Sequence, residues 1–194
     1  MTENTFLIVG LGNPGRDYKD NRHNVGFMLV DRLTVRLNAR MSRLQAKALV
    51  ASINYEGNKL ILAKPQTYMN LSGQSIQGLA HFYKIPLENM IVAHDDLDLP
   101  LGTIRIRPGG GPGGQKGVAS TIERLGSKDF PRLRIGIGRP PGRMDPAAYV
   151  LQDFPKADLQ LLSEILDRAA DAVITFVTDG LNAAMNKFNG EIQS

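Results

Sequence analysis

Three polar side chains in the first half of the chain are of the types that activate water for hydrolysis. Asn13 and His23 follow the apolar run 5–10, and Asp95 follows the apolar run 90–93. An imidazole beside a carboxylate is the usual general-base pair, because the carboxylate fixes the tautomer of the ring and stabilises the imidazolium. Since the 194 residues include no cysteine and no serine in a nucleophile elbow, we expect water to be the nucleophile.

Buried strands are expected to bring these three side chains together. The runs 5–10 and 90–93 are short, apolar and bounded by glycine or polar residues, as buried strands are. Reacting groups gather at the carboxyl ends of the strands of an open α/β sheet. Asn13 and Asp95 should therefore meet at that edge, and the polar loop that follows the first run can carry His23 over them.

The remaining pattern predicts a single three-layer α/β/α domain, spanning residues 1–194, with a mixed, mostly parallel central sheet. Strands that alternate with helices are typical of this layer architecture, and a hairpin makes the sheet mixed rather than all-parallel. We find no internal repeat and no linker. Apolar spacing predicts helices over residues 24–37, 73–83 and 159–177, a hairpin over 46–63, and further strands over 103–107 and 133–138.

A glycine motif after the first strand raises the alternative of a dinucleotide-dependent enzyme. Residues 10–15 match G-x-G-x-x-G. That motif requires a helix that opens at its third glycine and aims its N-terminus at the pyrophosphate, but residues 16–23 are polar and show no apolar period. Asp31, the acidic residue at about the required distance, falls inside a helical pattern instead of ending a strand. The context argues against nucleotide binding, and we expect no cofactor.

The loop 64–73 is the first of two candidate binding loops. Its functional interpretation makes Asn70 a binder of substrate amide groups, with Tyr68 and Met69 as an apolar wall. The simpler alternative is a helix entry in which Asn70 or Ser72 caps the helix that follows. The sequence leaves both interpretations open.

The second candidate loop lies in the basic middle of the chain. Residues 101–150 carry nine basic side chains against three acidic ones, whereas residues 151–194 carry three against seven. Such an asymmetry is typical of a one-sided face that binds a polyanion, although clustered charges on a solvated surface would give the same count. Within the basic part, the glycine-rich loop 108–117 is either a mobile surface loop or a lid or phosphate clamp that acts through Lys116.

Composition excludes several classes of protein. Without cysteine the chain has neither disulfides nor thiolate sites. His94, Asp96 and Asp98 match no zinc or calcium pattern, so we expect metal-independent chemistry. No apolar run approaches the ~20 residues that span a bilayer, and the first residues carry no export signal. We therefore expect a soluble cytoplasmic protein.

Together these stretches resemble the bacterial peptidyl-tRNA hydrolase family. The matching motifs occur in the family's order and cover most of residues 5–140. Ordered motifs are far more specific in combination than any one of them, and the family's fold is a single α/β/α domain with a mixed sheet. The motifs are residues 8–15, Tyr18, and residues 22–26, 64–73, 95–102 and 132–138.

The resemblance implies an enzyme that hydrolyses the ester between a peptide, or an N-blocked aminoacyl group, and the 3′ end of tRNA, which recycles tRNA from prematurely released peptidyl-tRNA. His23 would accept the proton of water, Asp95 would hold it in its basic form, and Asn13 would discriminate blocked from free aminoacyl ends. Peptidyl-tRNA would be the partner of a monomer that needs no second protein. The implied contacts with substrate and tRNA are Tyr18, Tyr68, Met69, Asn70, Lys116, Arg134 and Arg143.

The chain departs from the family's pattern at one motif. Where the family usually reads Gly-Gly-His-Asn-Gly, this chain reads Gly-Gly-Gln-Lys-Gly over residues 113–117. Lys116 thus replaces an asparagine that contacts substrate and helps to place the water; a lysine can donate to an ester carbonyl or a phosphate, but it cannot accept from water. Asn21 also stands where threonine is common. Because chloroplast splicing-factor relatives share the fold with a different role, an RNA-binding protein without hydrolase activity stays an open alternative.

Overall fold

A mixed eight-stranded sheet forms the middle layer of residues 3–191, the part of the chain that the computed structural model describes. In chain order the strands are β1 (Thr5–Gly10), β2 (Arg43–Gln45), β3 (Ala48–Tyr55), β4 (Asn58–Pro65), β5 (Met90–Asp96), β6 (Thr103–Arg107), β7 (Arg132–Gly136) and β8 (Gly190–Glu191). Their order across the sheet is β2-β3-β4-β1-β5-β7-β6-β8. The four central strands run parallel, and antiparallel strands extend the sheet at both edges.

Helices cover both faces of the sheet, because successive side chains of a strand point to opposite faces. In chain order the helices are α1 (Val25–Arg36), α2 (Ser72–Phe82), α3 (Lys116–Leu125), α4 (Pro146–Val150), α5 (Leu159–Asp179) and α6 (Leu181–Phe188). Phe6 and Ile8 of β1 belong to the core under α1, α5 and α6, whereas Leu7 and Val9 belong to the core under α2 and α3. Within residues 3–191, no helix combines the length and the apolar character that crossing a bilayer requires.

This architecture confirms the predicted α/β fold with a mixed sheet, and it places the parallel part in the four central strands. The predicted hairpin is the antiparallel pair of β3 and β4, and the three predicted helices correspond to α1, α2 and α5. The pattern misses β2, α4, α6 and β8, which are only 3, 5, 8 and 2 residues long and are too short to show a clear period. It also misses α3, which is 10 residues long and directly follows the glycine-rich segment.

The glycine-rich segment is shorter than the sequence pattern predicts. The pattern indicates a loop over 108–117, but α3 begins at Lys116, so Lys116 and Gly117 are helical. At the other glycine motif, a 3-10 turn over Arg16–Tyr18 follows Gly15, and α1 begins only at Val25. Because only this single 3-10 turn and no α-helix opens at Gly15, the segment lacks the helix N-terminus on which a dinucleotide site depends.

Gly10, the first glycine of that motif, makes a close backbone contact with Gly26 instead. A Cβ atom added to Gly10 would collide with the carbonyl oxygen of Gly26, and a Cβ atom on Gly26 would lie 2.6 Å from the carbonyl oxygen of Ala93. The first turn of α1 therefore packs directly on the ends of β1 and β5. This contact brings the segment just before α1 to the carboxyl edge of the parallel strands.

Candidate active site

The end of β5 and the turn before α1 bring His23 and Asp95 into direct contact. His23 lies in a 3-10 turn, Arg22–Asn24, that leads into α1, and Asp95 lies near the end of β5. The Nδ1 atom of His23 is 2.8 Å from Oδ2 of Asp95. With the carboxylate as acceptor, Nδ1 carries the proton and Nε2 keeps its lone pair. This is the form of histidine that can take a proton from water.

A third residue, Gln115, completes the surroundings of the Asp95 carboxylate. Its Nε2 donates to Oδ1 of Asp95 at 2.9 Å, while its Oε1 accepts from the backbone N–H of Val118 at 2.9 Å and so caps α3. Asp95 and Gln115 are both buried, which limits screening by water. Gln115 is not among the residues that the sequence predicts, because only the start of α3 would have marked it as a capping residue.

Asn13 is held so that its amide NH2 group can serve a ligand. Its Oδ1 accepts from the backbone N–H of Met69 at 2.8 Å. Its backbone N–H and carbonyl oxygen bond to the side-chain amide of Asn24, each at 2.9 Å. The NH2 group of Asn13 has no hydrogen-bond partner among residues 3–191. A side-chain amide can both donate and accept, but here the acceptor is occupied by the Met69 N–H, so a ligand meets a donor.

These side chains line a cavity of about 560 Å³, which lies within the usual range of ligand pockets, about 300–1,000 Å³. His23, Asn13 and Asp95 supply its polar side. Residues 113–116 form another part of the wall, and an apolar part is formed by Pro146, Ala147, Val150 and Leu151. A substrate with a polar reacting end and an apolar side chain fits such a lining.

The loop 64–73 contributes three residues to the wall of the cavity. Tyr68, Met69 and Asn70 all line the cavity; Met69 is buried, and Tyr68 is 60% exposed. The capping interpretation is wrong, because the N-cap position of α2 is Leu71 and makes no side-chain hydrogen bond. The Ser72 hydroxyl donates instead to the carbonyl oxygen of Met69 at 2.8 Å.

The predicted cations occupy different places around the cavity. Lys116, the first residue of α3, lines it with an exposed side chain. Arg134 bonds to Asp96 at 2.6 Å and lines a smaller neighbouring cleft. Arg143, which is exposed, and Tyr18, which is half-buried, are not among the residues that line either space.

The smaller cleft presents basic side chains of β6 and β7, among them Arg107 and Arg132. Arg132 donates to the carbonyl oxygens of Gly111 at 2.8 Å and Lys128 at 2.9 Å, which fastens the glycine-rich segment to β7. Burial, with a contribution from Arg107, lowers the pKa of Arg132 to about 10. Arg132 therefore remains a cation at neutral pH, and the cleft carries the charges of Arg107 and Arg132 beside the ion pair of Arg134 with Asp96.

His94 is a buried structural residue. Its Nδ1 bonds to the carbonyl oxygen of Asp95 at 2.8 Å, and burial lowers the pKa of its imidazole. His94 is thus neutral around pH 7, and it braces the backbone that carries Asp95. Within residues 3–191, no cluster of three or more His, Asp or Glu side chains could hold a metal ion.

The turn that carries His23 is also fastened to the segment that follows α4. The backbone N–H of Arg22 donates to the carbonyl oxygen of Gln152 at 3.0 Å, and its guanidinium donates to that of Tyr149 at 3.2 Å. The Asn21 amide donates to Asp153 at 2.7 Å. His23 is therefore held between the strand ends on one side and the apolar wall of the cavity on the other.

Comparison with known proteins is consistent with this geometry. The family model for peptidyl-tRNA hydrolase matches residues 7–194. A protein named peptidyl-tRNA hydrolase from Thermoanaerobacter sp. (strain X514) is 50% identical over 185 residues, which cover 95% of this chain and 100% of that protein. Another of that name, from Rhodococcus jostii (strain RHA1), is 47% identical over 190 residues, with 97% and 100% covered.

A solved structure agrees over almost the whole chain. The crystal structure of peptidyl-tRNA hydrolase from Acinetobacter baumannii matches with a TM-score of 0.91 and 36% sequence identity, and the match covers 98% of this chain and 97% of that one. Sequence and fold therefore point to the same relatives, and the chain belongs to the peptidyl-tRNA hydrolase family.

Proposed function

We propose that the chain hydrolyses the ester that joins a peptide, or an N-blocked aminoacyl group, to the 3′ ribose of tRNA, and that it thereby recycles tRNA from prematurely released peptidyl-tRNA. The observation that carries the mechanism is the contact of 2.8 Å between Nδ1 of His23 and Oδ2 of Asp95 at the wall of the cavity. The family supports the substrate class. The enzyme acts as a cytoplasmic monomer and needs neither a metal ion nor a cofactor.

The proton of the attacking water passes to Nε2 of His23. As the water oxygen bonds to the ester carbonyl carbon, the carbonyl oxygen becomes an oxyanion and Asp95 stabilises the imidazolium. When the tetrahedral intermediate collapses, the bond to the ribose oxygen breaks and the imidazolium returns its proton to the 3′ oxygen of the tRNA. General-base assistance of this kind contributes ~10²–10⁴-fold to the rate.

Asn13 supplies hydrogen-bond donors where the substrate has carbonyl oxygens. Because Oδ1 is committed to the backbone of Met69, the NH2 group of Asn13 can only donate. A peptide or acetyl carbonyl accepts such a bond, whereas a free α-ammonium group has only donors to offer. Asn13 therefore favours a blocked amino end over a free one.

Positive charge at this edge of the sheet binds the tRNA. Lys116 donates to the oxyanion or to a phosphate near the 3′ end, and Arg134 and Arg143 belong to a basic surface that holds the phosphates of the acceptor arm. Tyr18 contacts the same end of the substrate from outside the cavity. Phosphate contacts carry no base sequence, which suits an enzyme that acts on every tRNA.

A pair of substrates and a pair of histidine variants test this function. We expect the protein to release the amino acid from N-acetylated aminoacyl-tRNA but not from the same tRNA with a free amino acid. His23→Ala should lower turnover by ~10²–10⁴-fold, the size of general-base assistance. His81→Ala is the matched control, because His81 is an exposed histidine of α2. Near-normal turnover by His23→Ala would contradict the mechanism.

The same assay separates the enzyme from an RNA-binding protein of the same fold. Tight binding of tRNA without cleavage of either substrate would favour the binding protein. Lys116→Asn would then be the first variant to make, because lysine at this position is the departure from the family's motif. If that variant cleaved the ester, Lys116 would be the cause of the missing hydrolase activity in the wild-type protein.

A further inference from the structure

Gln115 has only one orientation in which it can face Asp95. The backbone N–H of Val118 can only donate, so the side-chain atom 2.9 Å from it is the oxygen Oε1. The NH2 group therefore points to Oδ1 of Asp95, 2.9 Å away. Turning the amide over would place one N–H against another and an oxygen against the carboxylate. The first turn of α3 thus fixes Gln115 as a donor.

Asp95 consequently has a hydrogen-bond donor on each of its oxygens. Oδ2 faces Nδ1 of His23 at 2.8 Å, Oδ1 takes the Gln115 bond, and the residue is only 4% exposed. A buried carboxylate oxygen without a donor is costly, and a carboxylate with one partner can rotate about its Cβ–Cγ bond. The Gln115 bond therefore fixes the plane in which the carboxylate meets the imidazole.

Gln115 donates this hydrogen bond to Asp95 at every pH at which the protein is folded, because an amide does not titrate. Within residues 3–191, no ionisable side chain other than His23 makes a hydrogen bond to the Asp95 carboxylate. The other ionisable groups that adjoin the pair or line the cavity with it are Arg22, Tyr68, His94, Asp96, Lys116 and Asp145.

We propose that Gln115 is a positioning residue for the hydrolysis. By holding the Asp95 carboxylate in one orientation, Gln115 keeps the proton of His23 on Nδ1 and leaves Nε2 to take the proton of water. The kinetic consequence rests on the proposed function. The structural consequence, the tautomer of His23, does not.

Gln115→Asn separates positioning from helix capping. Asparagine is a strong N-cap residue, but its side chain is one methylene shorter and cannot reach Asp95 while it caps α3. We expect kcat on N-acetylated aminoacyl-tRNA to fall by about 10- to 100-fold, the effect of losing one hydrogen bond to a charged group. KM should stay close to that of the wild type, whereas the melting temperature should fall, because Oδ1 of Asp95 is buried and loses its donor. A residue that only caps α3 would leave kcat unchanged in this variant.

Gln115→Glu replaces the NH2 donor that faces Asp95 with a carboxylate oxygen and leaves the size of the side chain unchanged. The carboxylate can still accept from Val118, but it places a second negative charge beside Asp95, which favours the protonated form of His23. The acid limb of the pH profile of kcat should therefore move to higher pH. Gln160→Glu is the matched control, because Gln160 is exposed on α5, and it should leave the profile in place.

Nitrogen NMR of histidine-labelled protein provides a readout that does not depend on catalysis. The wild-type protein should show His23 with its proton on Nδ1, and Gln115→Asn should show a larger population with the proton on Nε2. Wild-type kcat together with the wild-type tautomer in Gln115→Asn would overturn the proposal. If the wild-type protein cleaves no ester, the proposed function fails, and the tautomer measurement still decides the role of Gln115.

Discussion

The side-chain amide of Asn13 has two roles: its oxygen makes a structural hydrogen bond, and its NH2 group is available to the substrate. Its oxygen accepts a hydrogen bond from the backbone N–H of Met69. This bond connects the loop that follows β1 to the turn that precedes α2. Its NH2 group is left at the cavity wall. The chemistry of the site therefore depends on which atom of the amide faces the substrate, and that direction is set by a backbone N–H more than fifty residues away in sequence.

Asn13→Asp tests the donor without changing the size of the side chain. The carboxylate still accepts from the N–H of Met69, but it presents an oxygen in place of the NH2 group. We expect kcat/KM on N-acetylated aminoacyl-tRNA to fall by ~10²–10³-fold, as when one oxyanion donor is lost, with little change in the denaturation midpoint. Asn54→Asp, on an exposed position of β3, is the control. Equal kcat/KM for both variants would show that Asn13 donates to nothing in the reaction.

The sequence predicts those residues of the candidate site that lie close to a recognisable strand or to the loop that follows it. Asp95 is predictable because it follows an apolar run whose carboxyl end meets that of the first strand at one edge, and His23 because the polar loop after the first strand can carry it over that edge. Gln115 is not, because its role depends on where α3 begins. Val118, Ile122 and Leu125 of α3 recur at helical spacing and pack on the core, but the glycine-rich residues before them hide where the helix begins. The sequence therefore contains the capping residue without marking the helix start that it caps.

The junction of β1 with α1 determines where His23 lies. The first turn of α1 sits on the ends of β1 and β5 with no room for a side chain at Gly10 or Gly26. The atoms that a Cβ would meet there are largely backbone, which cannot move aside as a flexible side chain can. The distance between His23 and Asp95 is thus set by two elements in backbone contact.

Gly26→Ala should disturb both stability and activity. The added Cβ would lie 2.5 Å from the backbone nitrogen of Leu11 and 2.6 Å from the carbonyl oxygen of Ala93, so α1 must shift away from the sheet. We expect the free energy of unfolding to fall by about 1–3 kcal/mol or more, the usual cost of overpacking, and kcat to fall with it because His23 moves. Urea denaturation and the ester assay measure the two effects.

The control for this substitution is another glycine. Gly111→Ala adds the same methyl group where no atom lies within 4 Å and φ is not positive. Its unfolding free energy should match that of the wild type. A Gly26→Ala protein as stable and as active as Gly111→Ala would show that the backbone contact does not hold the site.

Among residues 3–191, ion pairing distinguishes the helical layer of α1 and α5 from the face that we propose to bind tRNA. Lys116 of α3 lines the cavity, and Arg107, Arg132 and Arg134 of β6 and β7 line the neighbouring cleft. On the helical layer beyond, Arg32 and Arg36 of α1 pair with Asp167 and Asp171 of α5, so that charge there is locally neutralised. Attraction for a polyanion is therefore concentrated beside the cavity.

Arg143→Gln should weaken tRNA binding and make it less sensitive to salt. Loss of one phosphate contact lowers the slope of log Kd against log salt by about 0.7–0.9, and binding of deacylated tRNA over a range of NaCl concentrations measures that slope. Arg36→Gln removes the same charge from the paired layer and should leave the slope unchanged. Equal slopes for the two variants would show that Arg143 meets no phosphate.

The contact between His23 and Asp95 joins residues 72 positions apart, and the cavity around it is completed by residues as late as Leu151. Nothing like the finished site can exist on a ribosome until β5, α3 and α4 have all emerged and docked. A growing copy of this protein is itself a peptide esterified to tRNA. For most of its synthesis it therefore lacks the machinery to cut the bond that holds it.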